Sequence, residues 1–330
     1  MKRIIIGIHG LKNKPPEEML SKWWKEAILE GFEKNSYKCR KFRFDLVYWA
    51  DINYESPQDP DEGDENDPRY LTFPFQPGLE ENSGERISVR ERLKKTMSRT
   101  IESGLELLFL RGDAISGIDR IADIAIKRMF ADLDTYYHGK SRINPDLDAK
   151  EEFKARLVEK LRKYKKYKIM LVAHSMGSII AYDTLMDMEN SGTGTIDQLV
   201  TIGSPLGLPV IVKKILKEQG SEINSIIRPI TPGSIKEKWD NLSDLDDKIA
   251  LVYSLEKEFA PSLRGVKPVD YIVQNNYYYM GKNNPHKVYG YLMCPEFSDI
   301  AYRFVSEESL WRRFVNLISS KKENAVLLFK

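Results

Sequence analysis

The sequence predicts an α/β fold: a mostly parallel sheet with helices on both faces, plus a largely helical cap insertion. Three observations carry that expectation. Short β-branched or apolar runs alternate with stretches of helical period on both sides of one irregular segment. The stretch AHSMG, residues 173–177, sets a serine between an apolar run and a helical pattern, with small residues two positions away on either side. Apolar residues make up 42% of 330 positions, enough for one large core.

Ile4 to Ile8 is a β-branched run that ends at His9-Gly10, as a buried strand entering a loop does. Pro15 and Pro16 open a helix whose apolar residues Met19, Trp23, Trp24, Ala27, Ile28 and Leu29 recur at helical spacing. Gly31 is expected to close it or follow its last turn. Phe42 to Trp49 reads as a second strand. Residues 51–84 then carry proline, glycine, asparagine and the acidic run DPDEGDEND, which is loop chemistry. Residues 86–111 and 115–134 read as helices, and HGKSRINPD at 138–146 as a loop. Residues 1–330 are therefore expected to form a single domain, with 51–150 inserted as a cap or lid.

The alternation resumes with a charged helix at 150–165 and a strand from Lys168 to Ala173. A helix follows from Gly177 to Met188, then a strand from Gln198 to Ile202, closed by Gly203-Ser204-Pro205. Residues 209–218 read as helical, a strand is expected at 224–231 or just after, and Val269 to Val273 is the last strand. A helix from Pro295 to about Ser319 completes the pattern.

Lys and Arg number 51 against 49 Asp and Glu, and this near balance argues against a nucleic-acid binder. Cys39 and Cys294 form no CxxC pair, so neither a disulfide framework nor a zinc ribbon is expected. The start MKRIIIGIHG lacks the long apolar region and cleavage site of a signal peptide, and no apolar stretch reaches membrane-spanning length. The expectation is a soluble, cytoplasmic protein.

A sharp strand-to-helix turn crowds the positions two before and two after its central residue, and Ala173 and Gly177 meet that demand. AHSMG resembles the G-x-S-x-G nucleophile elbow of the α/β-hydrolase superfamily, with alanine replacing the first glycine. The motifs HGL, AHSMG, TIGSP, WxNxxDxxD and NPHxxYGY occur in the order of its lipase and esterase-like branch, and they cover most of the chain outside 51–150. The resemblance implies Ser175 as nucleophile and an oxyanion hole built from the backbone N–H groups of Leu11 and Met176. Among four histidines it implies His286, which follows the last strand, as the base. The acid lies in WDNLSDLDDKIA, where Trp239, Asn241, Asp244, Asp247 and Ile249 match the pattern. Asp247 is the choice and Asp244 the reserve, while Asp240 and Asp246 read as a solvated acidic turn. His9 reads as structural, His138 lies in the insertion, and His174 is expected to project away from the nucleophile.

The implied activity is cleavage of a carboxylic ester through an acyl-enzyme, with no cofactor and no metal. Its partner is a small-molecule ester or acyl substrate, lipids included. Two alternatives share the sequence: acyl transfer on the same triad, and a non-catalytic interaction module. The acidic run at 59–67 lacks the ligand pattern of a calcium loop and reads as an ordinary acidic loop. FPFQPG at 73–78 and NNYYYMG at 275–281 read as core or rim ahead of acyl-pocket lining. LELLFL at 105–110 reads as the buried side of a helix, and RKYKKYK at 162–168 as a solvated helix end.

Overall fold

The computed structural model describes residues 1–78, 131–220 and 227–306. Six parallel strands form one sheet: β1 (Arg3–Ile8), β2 (Phe44–Val47), β3 (Lys168–His174), β4 (Ile196–Ile202), β5 (Ile235–Asp244) and β6 (Pro268–Val273). Their spatial order is β2-β1-β3-β4-β5-β6. The helices are α1 (Glu17–Lys34), α2 (Ala50–Asn53), α3 (Ala131–His138), α4 (Ala149–Lys163), α5 (Met176–Ser191), α6 (Pro209–Glu218), α7 (Leu255–Glu258) and α8 (Val288–Met293). A ninth, α9, occupies 295–306. The two-residue strands β7 (Tyr278–Tyr279) and β8 (Lys282–Asn283) pair as a small hairpin. No helix among the described residues is long and apolar enough to cross a membrane.

The two-residue period of a strand sorts the core into two layers. Ile4, Ile6 and Ile8 of β1, with Ile169, Leu171 and Ala173 of β3, pack with α3, α4, α5 and α6. Ile5, Met170 and Val172 face the other way, toward Trp24, Ile28 and Phe32 of α1 and toward α8 and α9. Gly7 sits where a Cβ would lie 2.8 Å from the Trp24 ring, so its lack of a side chain lets that indole lie against the sheet. Burying a side chain of this size contributes about 2–3 kcal/mol.

The register puts the carboxyl ends of the central strands along one edge: Ile8 pairs with Ala173, His174 with Ile202, and Asp244 with Val273. The chain leaves β1 for β2 on one side and later returns to β3 on the other. The loops after β1 and β3 therefore diverge over a crevice, the usual place for a ligand in an open parallel sheet.

Several elements differ from the expectation. α1 runs through Gly31 to Lys34, because Gly31 is needed for close packing: a Cβ there would lie 2.7 Å from the Leu292 carbonyl oxygen. β2 is shorter than 42–49, since Trp49 turns its indole back to the His9 carbonyl at 2.9 Å. The strand expected near 224–231 is β5 and contains the WDNLSD segment; residues 221–226 lie outside the described part. It escapes a hydropathy reading because its polar side chains are satisfied within the sheet. Trp239 Nε1 donates to Thr201 Oγ1 at 3.0 Å, and Thr201 Oγ1 donates to Asn241 Oδ1 at 2.9 Å.

The helices expected at 86–111 and over most of 115–134, together with LELLFL, lie outside the described residues, as does the chain after 306. The described end of 51–150 is joined to the main core. Leu133 and Tyr136 pack with Phe153 and Ala149, and Tyr136 OH donates to Asp183 at 2.7 Å. The end of α4 is solvated as expected, with Arg162, Lys163, Lys165 and Lys166 exposed, while Lys163 and Tyr164 also bond the Asp45 carboxylate.

Candidate active site

Ser175 stands between β3 and α5 with φ 54° and ψ −128°, a left-handed conformation for a residue with a side chain. Such a conformation costs on the order of 1–3 kcal/mol and persists only where the surroundings enforce it. Here the surroundings are tight. A Cβ on Gly177 would lie 2.7 Å from the carbonyl oxygens of both Ile8 and His9, and one on Gly10 would lie 2.6 Å from the Ser175 Cβ. The Ser175 N–H donates to the Ile202 carbonyl at 3.1 Å and ties the turn to β4.

His286 Nε2 lies 3.0 Å from Ser175 Oγ, and His286 Nδ1 lies 2.8 Å from Asp247 Oδ2. With Nδ1–H donating to the carboxylate, Nε2 is left to accept the serine proton. The His286 side chain is 27% exposed while the Asp247 carboxylate is fully covered, so solvent reaches the imidazole but not the carboxylate. Asp247 is saturated. Oδ2 also accepts from Tyr291 OH at 2.7 Å, and Oδ1 accepts from the N–H groups of Ile249 at 2.9 Å and Ala250 at 3.4 Å. Asp244 takes other partners, the N–H groups of Asn275 and Asp246. Asp246 is exposed as expected, but Asp240 is not on a solvated turn. It is buried on β5 beside Gln198 Nε2, and burial raises its pKa.

Two of the remaining histidines, His174 and His9, are buried in the framework around Ser175. His174 is buried, and its Nε2–H donates to the His286 carbonyl at 2.9 Å while the two rings lie 4.8 Å apart. Burial first, then the neighbouring His286, lowers its pKa well below the ordinary value, so it stays neutral. The ring thus props the His286 backbone. His9 stacks on Trp49 at 4.4 Å and accepts the Trp49 N–H at 3.0 Å, and burial lowers its pKa in the same way. His138 is on the surface beside Asp134.

The amides of the expected oxyanion hole are placed by two different devices. Met176 is the first residue of α5, so its N–H has no intrahelical acceptor and the positive end of the helix dipole lies there. Leu11 follows Gly10 in a loop clamped from several sides. Lys14 Nζ bonds the carbonyls of Leu11, Lys12 and Asn13, and Asn13 Nδ2 donates to the Ser56 carbonyl at 2.9 Å. Lys12 has φ 71°, and its N–H donates to the buried Asp132 carboxylate. Asp132 also receives Asn53 Nδ2 and Tyr54 OH, each at 2.9 Å. Helices α2 and α3 therefore hold the loop after β1.

Sequence reasoning missed Lys14, Asp132, Asn275, Tyr291 and Lys287, and gave His174 no supporting role. Asn275 donates to the Lys287 carbonyl at 2.7 Å, one residue beyond His286. A Cβ on Gly290 would lie 1.7 Å from the Asn275 amide oxygen, which accounts for the glycine in YGY. Lys14 and Lys287 have unusual electrostatics. Burial, then the charge of Lys287, pushes the Lys14 ammonium down to about 7. Burial pushes Lys287 down to about 7 as well. Among the described residues no cluster of three or more His, Cys, Asp or Glu is arranged to hold a metal.

Residues 122–231, a third of the chain, match the family model described as a PGAP1-like alpha/beta domain. That domain belongs to the α/β-hydrolase superfamily, in agreement with the parallel sheet and its flanking helices. The matched stretch contains Ser175 and Met176 and ends before Asp247 and His286. No curated protein matches the chain.

Proposed function

We propose that this chain, a member of the α/β-hydrolase superfamily, is a serine hydrolase that cleaves a carboxylic ester. The observation that carries the reading is the continuous hydrogen-bond path from Ser175 Oγ through the His286 ring to Asp247. His286 Nε2 takes the hydroxyl proton as Ser175 Oγ attacks the carbonyl carbon. Asp247 keeps the proton on Nδ1 and stabilises the imidazolium that forms. The tetrahedral oxyanion is held by the N–H groups of Leu11 and Met176, a contribution of about 10²–10³ in rate per donor. Collapse breaks the ester bond, and His286 returns the proton to the departing alcohol. Water then attacks the acyl-enzyme, His286 accepts its proton, and the acid leaves with Ser175 restored.

The backbone around Ser175 supports this assignment, since its left-handed conformation sets the hydroxyl against His286 at the carboxyl edge of the sheet. The segment 51–150 is proposed as the cap that shapes the acyl site and limits water. Hydrolysis of p-nitrophenyl esters from acetate to palmitate, with wild type and Ser175→Ala side by side, tests the reading. Turnover by the wild type and its loss in the variant are expected, with fluorophosphonate labelling confined to Ser175. Absence of both turnover and labelling in folded wild type would remove the catalytic reading.

A further inference from the structure

Most half-buried cations near the core are neutralised by acids. Lys150 pairs with Asp183 at 2.9 Å, Lys154 with Asp187 at 2.7 Å, and Lys160 with Asp45 at 2.9 Å. Lys14 and Lys287 are the exception beside the site. Neither has a carboxylate within ion-pair distance among the described residues. Lys14 lies on the loop whose Gly10 abuts Ser175, and Lys287 directly follows His286. Both charges act on the buried His174, and Lys287 acts on Lys14. Two desolvated like charges, with Asp132 offsetting Lys14 from a distance and no acid among the described residues doing so for Lys287, are a costly arrangement, and a ligand of opposite charge relieves it.

The two lysines are not equivalent. An ammonium has three N–H donors. Those of Lys14 point to the carbonyls of Leu11, Lys12 and Asn13, so Lys14 supplies charge and holds the loop. Lys287 Nζ rests over the Tyr289 ring at 5.0 Å and the Phe73 ring at 5.9 Å. Rings attract the charge but take none of its donors along a bonding direction. Among the described residues Lys287 therefore keeps hydrogen bonds to give.

We propose that Lys287, in the field of Lys14, binds an anionic group, phosphate or carboxylate, carried by the substrate near its scissile ester. The position of that ester rests on the hydrolase reading; the anion contact does not. A charge-assisted bond of this kind changes affinity by roughly tenfold to a hundredfold.

The test compares 1-octanoylglycerol with its 3-phosphate and with octanoylglycerate, which separates phosphate from carboxylate. In wild type, kcat/KM for one or both anionic esters is expected to exceed that for the neutral ester at least about tenfold. Lys287→Gln should bring the ratio toward one, and Lys287→Arg should retain it. The ratio cancels any general loss of activity in a variant. A parallel arm measures binding of the same three compounds to Ser175→Ala, with and without Lys287→Gln, by calorimetry. Failure of turnover and labelling would count against the hydrolase alone, while the binding arm still decides the anion site. Should Lys287→Gln not fold, the wild-type preference must weaken with added salt. A neutral ester bound as well as both anionic ones, a preference that survives Lys287→Gln, or one insensitive to salt overturns the proposal.

Discussion

Replacing Asp247 by asparagine removes a charge and almost no volume, and the geometry dictates where the new NH2 group goes. Oδ1 faces the backbone N–H groups of Ile249 and Ala250, which can only donate. An NH2 placed there would oppose two fixed donors. The amide must therefore turn its NH2 to the Oδ2 position, facing His286 Nδ1 and Tyr291 OH. The tyrosine hydroxyl rotates and accepts. The imidazole accepts only by moving its proton to Nε2, the nitrogen 3.0 Å from Ser175 Oγ. In that tautomer it cannot take the serine proton. The expected loss in kcat is about 10⁴-fold, equivalent to about 5.5 kcal/mol of transition-state stabilisation. Stability should fall by no more than about 1–3 kcal/mol, the cost of the buried Tyr291 O–H losing its acceptor, because the two backbone donors keep theirs. Asp244→Asn is the paired control. Its carboxylate receives the N–H groups of Asp246 and Asn275, so it should cost about 1–3 kcal/mol of stability and less than tenfold in kcat. Ester hydrolysis and urea unfolding of both variants check this. An Asp247→Asn protein within tenfold of wild type, or the greater catalytic loss in Asp244→Asn, would refute the reasoning.

Three further outcomes follow from the same contacts. Gly203 has φ 55°, and a Cβ there would lie 2.9 Å from Asp247 Oδ2 and 3.2 Å from His286 Nδ1; Gly203→Ala should lower kcat at least about tenfold, read by kcat/KM beside a thermal melt. Asp132→Ala strands the donors of Lys12, Asn53 and Tyr54 and should lower kcat by about an order of magnitude by freeing the oxyanion loop, whereas Asp132→Asn, which keeps an acceptor for Lys12, should recover most of it. Lys287→Met should raise stability near neutral pH. The folded pKa of Lys287 is lowered to about 7, so between there and its unfolded value the unfolded chain binds more protons and wild-type stability climbs with pH. The gain is fully present below pH 7, about 1–2 kcal/mol for a half-buried ammonium, and fades toward pH 10 in urea melts.

The parts of the site legible in the sequence are those set by neighbours in the chain. Ala173, Ser175 and Gly177 lie within five residues, and the switch from strand to helix on either side declares the turn. Ser175 and His286 are 111 residues apart, and their meeting was readable only through the order of motifs resembling a known family. Between Asp244 and Asp247 the decisive feature is a turn in which the Asp247 N–H donates to the Asp244 carbonyl at 3.1 Å, sending one carboxylate toward His286 and the other toward Asn275. Hydropathy and spacing are blind to that. β5 is only loosely placed by the sequence for a related reason: Thr201, Trp239 and Asn241 satisfy one another between strands, so a buried strand reads as polar.

The residues that escaped notice share one property. Asp132 reaches Lys12 across 120 positions, Tyr291 reaches Asp247 across 44, and Asn275 reaches Asp244 across 31. Each is a polar side chain whose partner is fixed by the tertiary fold, and each holds a group proposed to act on the ester or the support of one. Lys14 reads as an ordinary surface lysine until its ammonium meets the carbonyls of the loop after β1, and Lys287 until its ammonium rests over the Phe73 and Tyr289 rings. Apolar spacing thus predicts the scaffold, because burial is decided by period and composition. The settings of His286, Asp247 and the loop after β1 depend on long-range hydrogen bonds, each worth about a kcal/mol or more when buried. Activity should therefore be far more sensitive than folding to the conservative changes at Asp247 and Gly203. That separation of kcat from stability is the measurable mark of a polar network built over a finished core.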